Sequence, residues 1–180
     1  MARKLFISAG HGGSDGGAAH GVYIERDIAI SFRNALIKEL NLLGVSAQTD
    51  PDTNALAKTL AFIKGKFGAK DILVDIHFNA GGGTGTEVII PNVSTSFEKQ
   101  LAQRIADVIN TVTGLKKRGG GVKTETDTAR KTLGWMSPNS ENILLEICFI
   151  DSKTDMAVYT KNELKLAKEI ARVLFDFSRL

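Results

Sequence analysis

Three observations predict an α/β sandwich built on a largely parallel sheet. Short apolar runs alternate with amphipathic helical stretches along the 180 residues, the pattern of strands joined by helical crossovers. One run, residues 71–78, is apolar almost throughout, as a parallel strand covered on both faces must be. No linker rich in Pro, Gly or Ser divides the chain, so residues 1–180 read as a single domain.

The elements follow in order. Lys4 to Ala9 reads as a buried strand, followed by a glycine-rich loop from Gly10 to Gly21. A helix is expected from about Glu25 to Leu43, with Ile28, Phe32, Ala35, Leu36, Leu40 and Leu43 at helical spacing and Gly44 placed to end it. Val45 to Thr49 is a short strand, and Asn54 to Phe67 a second helix with Leu56, Leu60, Ile63 and Phe67 on one stripe. Asp71 to Phe78 and Gly85 to Ile90 are further strands, and Ser94 to Val112 a third helix. Residues 114–141 are polar and glycine-containing, and no element is assigned to them. Asn142 to Ile150 is another central strand and Lys161 to Phe177 a closing helix.

Composition excludes several classes. With 43% hydrophobic and 24% charged residues and a net charge of +3, disorder is excluded as the main state. No window approaches the ~18 apolar residues of a spanning helix. The basic opening Met-Ala-Arg-Lys is followed by an apolar run, Leu5 to Ala9, too short for a signal peptide. The single cysteine, Cys148, cannot form an internal disulfide. Synthesis in the cytoplasm is therefore expected. Gly10 and Gly12 begin a G-x-G, but Asp15 stands where a dinucleotide fingerprint needs glycine, and no P-loop occurs, so no nucleotide is expected. Lys116, Lys117, Arg118, Lys123, Arg130 and Lys131 form a loose basic cluster without interleaved aromatics. It reads as a solvated loop, with an anionic substrate group the alternative, and no nucleic-acid partner is expected.

The chain has three histidines. His11 follows the first strand and His77 ends the third, so both lie at strand carboxyl ends, where open α/β sheets build their sites. Glu25, at the start of the first helix, can close on the same spot. Two imidazoles and a carboxylate match the ligand set of a catalytic zinc site. The same residues also fit a loop histidine, a satisfied core histidine and a favourable charge in a first helical turn. His20 reads as surface. Glu146 interrupts an otherwise apolar strand, Ile143 to Ile150, where an unpartnered carboxylate is costly. It needs an ion-pair partner, a metal or a catalytic task. Cys148, among apolar neighbours, reads as an inert core thiol.

Taken in order, Gly10-His11-Gly12-Gly13, Asp15-Gly16-Gly17-Ala18, Glu25-Arg26-Asp27-Ile28, His77-Phe78-Asn79-Ala80, Gly85-Thr86-Glu87 and Leu145-Glu146 with Phe149 resemble the zinc-dependent N-acetylmuramoyl-L-alanine amidases of the amidase-3 family. The resemblance implies a mixed α/β sheet of about six strands flanked by helices. It implies Zn2+ held by His11, Glu25 and His77, with Glu146 as general base. The implied reaction hydrolyses the amide between N-acetylmuramic acid and the L-alanine of the peptidoglycan stem peptide. A phage endolysin reaching the wall through a holin-made pore or lysis fits the missing export signal. No wall-binding domain and a monomeric state are expected.

The sequence departs from the family at Ser8, where the family commonly has Asp, and at Asp75, where it often has Ser. The exchange predicts a Ser8–Asp75 hydrogen bond between neighbouring strands, bracing the site. Ile147-Cys148 replaces the small Thr-Gly usual after the catalytic Glu, and residues 114–141 are expected to line the substrate groove. Two other readings accommodate the same residues: a different zinc peptidase or deacetylase, and a non-catalytic wall-binding protein.

Overall fold

The computed structural model describes residues 2–180; Met1 lies outside them. The apolar runs become β1 (Leu5–Ala9), β5 (Ile72–Asn79), β6 (Thr86–Ile90) and β8 (Glu141–Phe149), joined in one sheet by β4 (Ala47–Gln48) and β7 (Lys117–Thr124). Its order is β4-β1-β5-β8-β6-β7. All neighbours run parallel except β6 and β8, which are antiparallel, so the sheet is mixed and largely parallel.

Strand periodicity sends alternate residues to opposite faces. Leu5, Ile7, Ile72, Val74, Ile76, Ile143, Leu145 and Val88 point to one face. There they pack under α1 (Glu25–Leu42), α3 (Ser96–Thr113) and α4 (Lys153–Ser178) in the larger core, with α4 touching both other helices. Phe6, Leu73, Leu144 and Ile89 point to the other face. A smaller core forms there against Ile63 of α2 (Leu56–Ile63) and Trp135, whose indole N–H donates to the Ile143 carbonyl at 3.0 Å.

Several boundaries differ from expectation. The last helix begins at Lys153 rather than Lys161, because Ser152 caps it by accepting from the Asp155 N–H at 3.2 Å. The second helix covers Leu56–Ile63 rather than Asn54 to Phe67; Lys64 leaves helical geometry, and the chain turns through Gly65. The loop after β1 contains a small hairpin, β2 (Ala19–His20) and β3 (Tyr23–Ile24). The unassigned stretch holds β7, hidden in the sequence by three consecutive glycines, which lower strand propensity and accompany a register shift against β6. Among the described residues no helix is long and apolar enough to cross a membrane.

Candidate metal centre and catalytic groove

β1 and β5 are neighbours, in register from Leu5–Ile72 to Ala9–Ile76, so the segments after them emerge side by side. His11 comes from the loop after β1 and His77 from the end of β5. Glu25, the first residue of α1, closes on both. The fold thus brings together the three predicted ligands.

His11 itself has φ 67°, a left-handed conformation that histidine tolerates better than most residues. Gly17 shares that conformation with φ 66°, and a Cβ there would stand 2.5 Å from the His11 ring and 2.6 Å from the Glu25 carboxylate. Only glycine lets the loop fold so closely over the pair.

His11 Nε2 lies 3.2 Å from Glu25 Oε2, and His77 Nδ1 lies 3.0 Å from Glu25 Oε1. The three ligand atoms all fall within 4.8 Å of one another. Each imidazole is steadied on its other nitrogen by a carboxylate: Asp15 on His11 Nδ1 at 2.9 Å, and Asp75 on His77 Nε2 at 3.0 Å. That arrangement orients each ring and turns its remaining nitrogen toward Glu25, the geometry that metal-binding histidines use when neutral. Two oriented imidazoles and a buried carboxylate fit a metal ion.

The charges respond to this crowding. Burial opposes ionisation of Glu25, but hydrogen bonds from His11 and His77 outweigh it and hold its carboxyl far below the usual range. The Glu25 contact raises His11 against burial. Burial lowers His77, but Asp75 and Glu25 together raise it well above its ordinary value.

Glu146 sits opposite His77 on β8 and, on its other side, opposite Glu87 of β6. Directly paired residues share a sheet face, so His77, Glu146 and Glu87 form a row across three strands. Glu146 Oε2 is shut off from solvent without a hydrogen-bond partner among the described residues. Burial pushes this carboxyl up to about 7, with the His77 charge opposing and the Glu25 charge assisting. A carboxyl poised near neutrality suits general-base work. The site opens into a groove of about 800 Å³. Residues 127–130, Arg118 and Lys123 line one side of it, so the unassigned stretch does form a groove wall.

One expectation is corrected. Ser8 and Asp75 are paired across β1 and β5 as anticipated, but they share no hydrogen bond. Ser8 Oγ donates to the Ala9 carbonyl at 3.3 Å, and Asp75 turns to His77. A charge-assisted bond to an imidazole on the same strand face outcompetes a neutral hydroxyl. The spacing of two between Asp75 and His77 was the available signal, since alternate strand residues face the same way. Asp15 and Glu87 were also missed as site residues, although both lie in the quoted motifs. Cys148 is fully buried, and burial pushes its thiol up, consistent with an inert core position. His20 is exposed on β2.

Comparison with known proteins matches residues 5–176 to the family described as N-acetylmuramoyl-L-alanine amidase. The N-acetylmuramoyl-L-alanine amidase CwlM of Bacillus licheniformis is 33% identical over 115 residues, covering 59% of this chain and 45% of that protein. An endolysin of Bacillus phage SPP1 is 26% identical over 165 residues, covering 90% of this chain and 60% of that one. Cwp6 from Clostridium difficile has the same fold with a TM-score of 0.82 at 26% identity, covering 97% of this chain and 29% of that one. The chain therefore spans about half the length of these curated relatives. With the family match running from β1 nearly to the end of α4, the chain belongs to the N-acetylmuramoyl-L-alanine amidase family.

Proposed function

We propose that this chain is a zinc-dependent hydrolase that cleaves the amide between N-acetylmuramic acid and the L-alanine of the peptidoglycan stem peptide. The observation that carries the reading is the placement of Glu146 beside a His11–Glu25–His77 cluster on the floor of an open groove. His11, Glu25 and His77 would hold Zn2+, which when bound supplies Lewis acidity toward a carbonyl oxygen and lowers the pKa of water. Glu146 would take the proton from the attacking water on its carboxylate and deliver it to the departing alanine nitrogen. Asp15 and Asp75, which contact the outer nitrogens of the two imidazoles, would keep the inner nitrogens turned to the metal. The match to a phage endolysin supports a role in wall lysis.

The test is digestion of purified peptidoglycan with the zinc-loaded chain, followed by mass spectrometry of the new termini, with a chelator-treated control. Stem peptides with a free N-terminal alanine, absent after chelation, are the expected products. Cleavage elsewhere, with muramoyl-alanine bonds intact, would replace the amidase reading with another zinc hydrolase. Wall binding without turnover in metal-replete protein would replace it with a binding protein.

A further inference from the structure

The row that runs from His77 to Glu146 continues into charge that hydrolysis does not use. Its next member, Glu87, is only 6% exposed. Its Oε1 accepts from Asn79 Nδ2 at 2.8 Å, and its Oε2 meets two cations, Arg118 through Nε at 3.0 Å and Lys123 through Nζ. One carboxylate neutralises one of these cations and leaves a surplus positive charge at the groove wall.

The arginine is also held in place. Its Cζ stands 4.7 Å over the Phe149 ring, and Nη1 lies 3.4 Å from the Thr84 carbonyl. Gly83 leaves room for this stack: a Cβ there would lie 2.9 Å from Nη1 and still closer to the Phe149 ring. Nη2 has no protein partner among the described residues. The Arg118 side chain remains 36% exposed and that of Lys123 23%, and both line the groove. A guanidinium fixed on three sides with donors free toward a groove is preorganised for a planar anion.

We propose that Arg118 and Lys123, seated on Glu87, form a carboxylate-binding subsite for the stem peptide beyond the scissile amide. The inference rests on the amidase reading and adds a substrate preference to it. Glu87 lies one strand from Glu146 and β7 the next, so the subsite stands roughly 10 Å from the base. Extended peptide advances about 3.3–3.6 Å per residue, which puts the recognised group about two to three residues past the cleaved bond. A γ-linked glutamate at the second position carries a free carboxylate there, and amidation makes it neutral. A diamino diacid at the third position carries another.

The test uses N-acetylmuramoyl-L-alanyl-γ-D-glutamate and its α-carboxamide, with the γ-carboxyl blocked as a methylamide in both, hydrolysed by the zinc-loaded chain. A second pair varies the carboxylate of the third residue alone and so identifies which position is read. The expected result is a preference of roughly 10-fold or more in kcat/KM for the carboxylate of one pair, arising in KM. In Arg118→Gln the preference is expected to fall to about 3-fold or less; Arg118→Lys, which keeps the charge but not the fork, is expected to restore part of it. Equal kcat/KM on both pairs overturns the subsite and leaves the amidase reading standing. If no muramoyl peptide is cleaved, the amidase reading fails. Calorimetry with the corresponding free stem peptides then decides the subsite: tighter binding of the carboxylate form, lost in Arg118→Gln, supports it, and equal binding overturns it. The preference of the unaltered protein needs no variant to fold.

Discussion

On the sheet face that carries α1, α3 and α4, the positions of β1, β5 and β8 are apolar apart from Glu141 at the start of β8: Leu5 and Ile7, Ile72, Val74, Ile76 and Phe78, Ile143, Leu145 and Ile147. On the opposite face the same strands change character along their length. Phe6, Leu73 and Leu144 join Trp135 in the smaller core, and toward the carboxyl ends the series continues as Ser8, Asp75, His77 and Glu146. One face is closed by three long helices and buries mostly apolar surface. The other is covered by the short α2 and the turn at Gly134–Met136, and left open where the charges begin. The difference separates stability from chemistry within single strands, residue by alternate residue.

The comparison is sharpened most by Glu146→Gln. The proposed base is lost, and peptidoglycan hydrolysis is expected to fall by about 10²–10⁴-fold with zinc binding retained, checked by turnover and metal analysis. In the zinc-loaded parent, hydrolysis should rise with pH as Glu146 becomes ionised, with a midpoint below the metal-free value of about 7 because a neighbouring dication favours the carboxylate. In the metal-free protein, stability should move the other way. The folded pKa of Glu146 lies above the unfolded value, so the folded state gives up stability as pH rises from about 4 through 7. Glu146→Gln is spared that loss. Its thermal midpoint should exceed the parent's by about 2–4 °C or more at pH 8, and the gain should vanish by about pH 4. A midpoint lower than the parent's at pH 8 would show Glu146 to be a stabilising ion-pair member.

Next in size is Asp75→Asn, which keeps the shape but not the charge that steadies His77 Nε2. Zinc affinity, read by competition with a chromophoric chelator, should weaken by about 10–100-fold while the fold is retained. Unchanged affinity would mean that His77 is oriented by packing alone.

The smallest effect compares two consecutive residues. Leu145, fully buried under the helices, should cost about 3–5 kcal/mol on truncation to alanine in denaturant unfolding. Leu144, 5% exposed and lining the groove, should cost about 2 kcal/mol, because water can enter the space it leaves. Equal losses would mean that the groove face is packed as tightly as the helix face.

Much of this was legible in the residues. His11, Glu25 and His77 stand beside strand ends or a helix start, and those ends are written in hydrophobic periodicity, a local property. Glu146 stood out because a carboxylate in an aliphatic run is anomalous wherever it lies. β7 was not legible, since a strand containing Gly119, Gly120 and Gly121 has no apolar alternation and is held by its neighbour β6. The partner of Asp75 was legible but misread: His77, two residues along the strand, faces the same way, while Ser8 comes near only through the sheet.

The sequence by itself therefore determined most of the strands and helices and the α/β plan, and it singled out His11, Glu25, His77 and Glu146 as candidates, because periodicity and anomalous polar residues are carried by the chain locally. Tertiary structure alone decided that Glu146 faces His77 on one side and Glu87 on the other, and that Arg118 and Lys123 share one buried carboxylate. Those are relations between strands distant in sequence, and strand order and register, which no local pattern encodes, bring their charges within reach of one another.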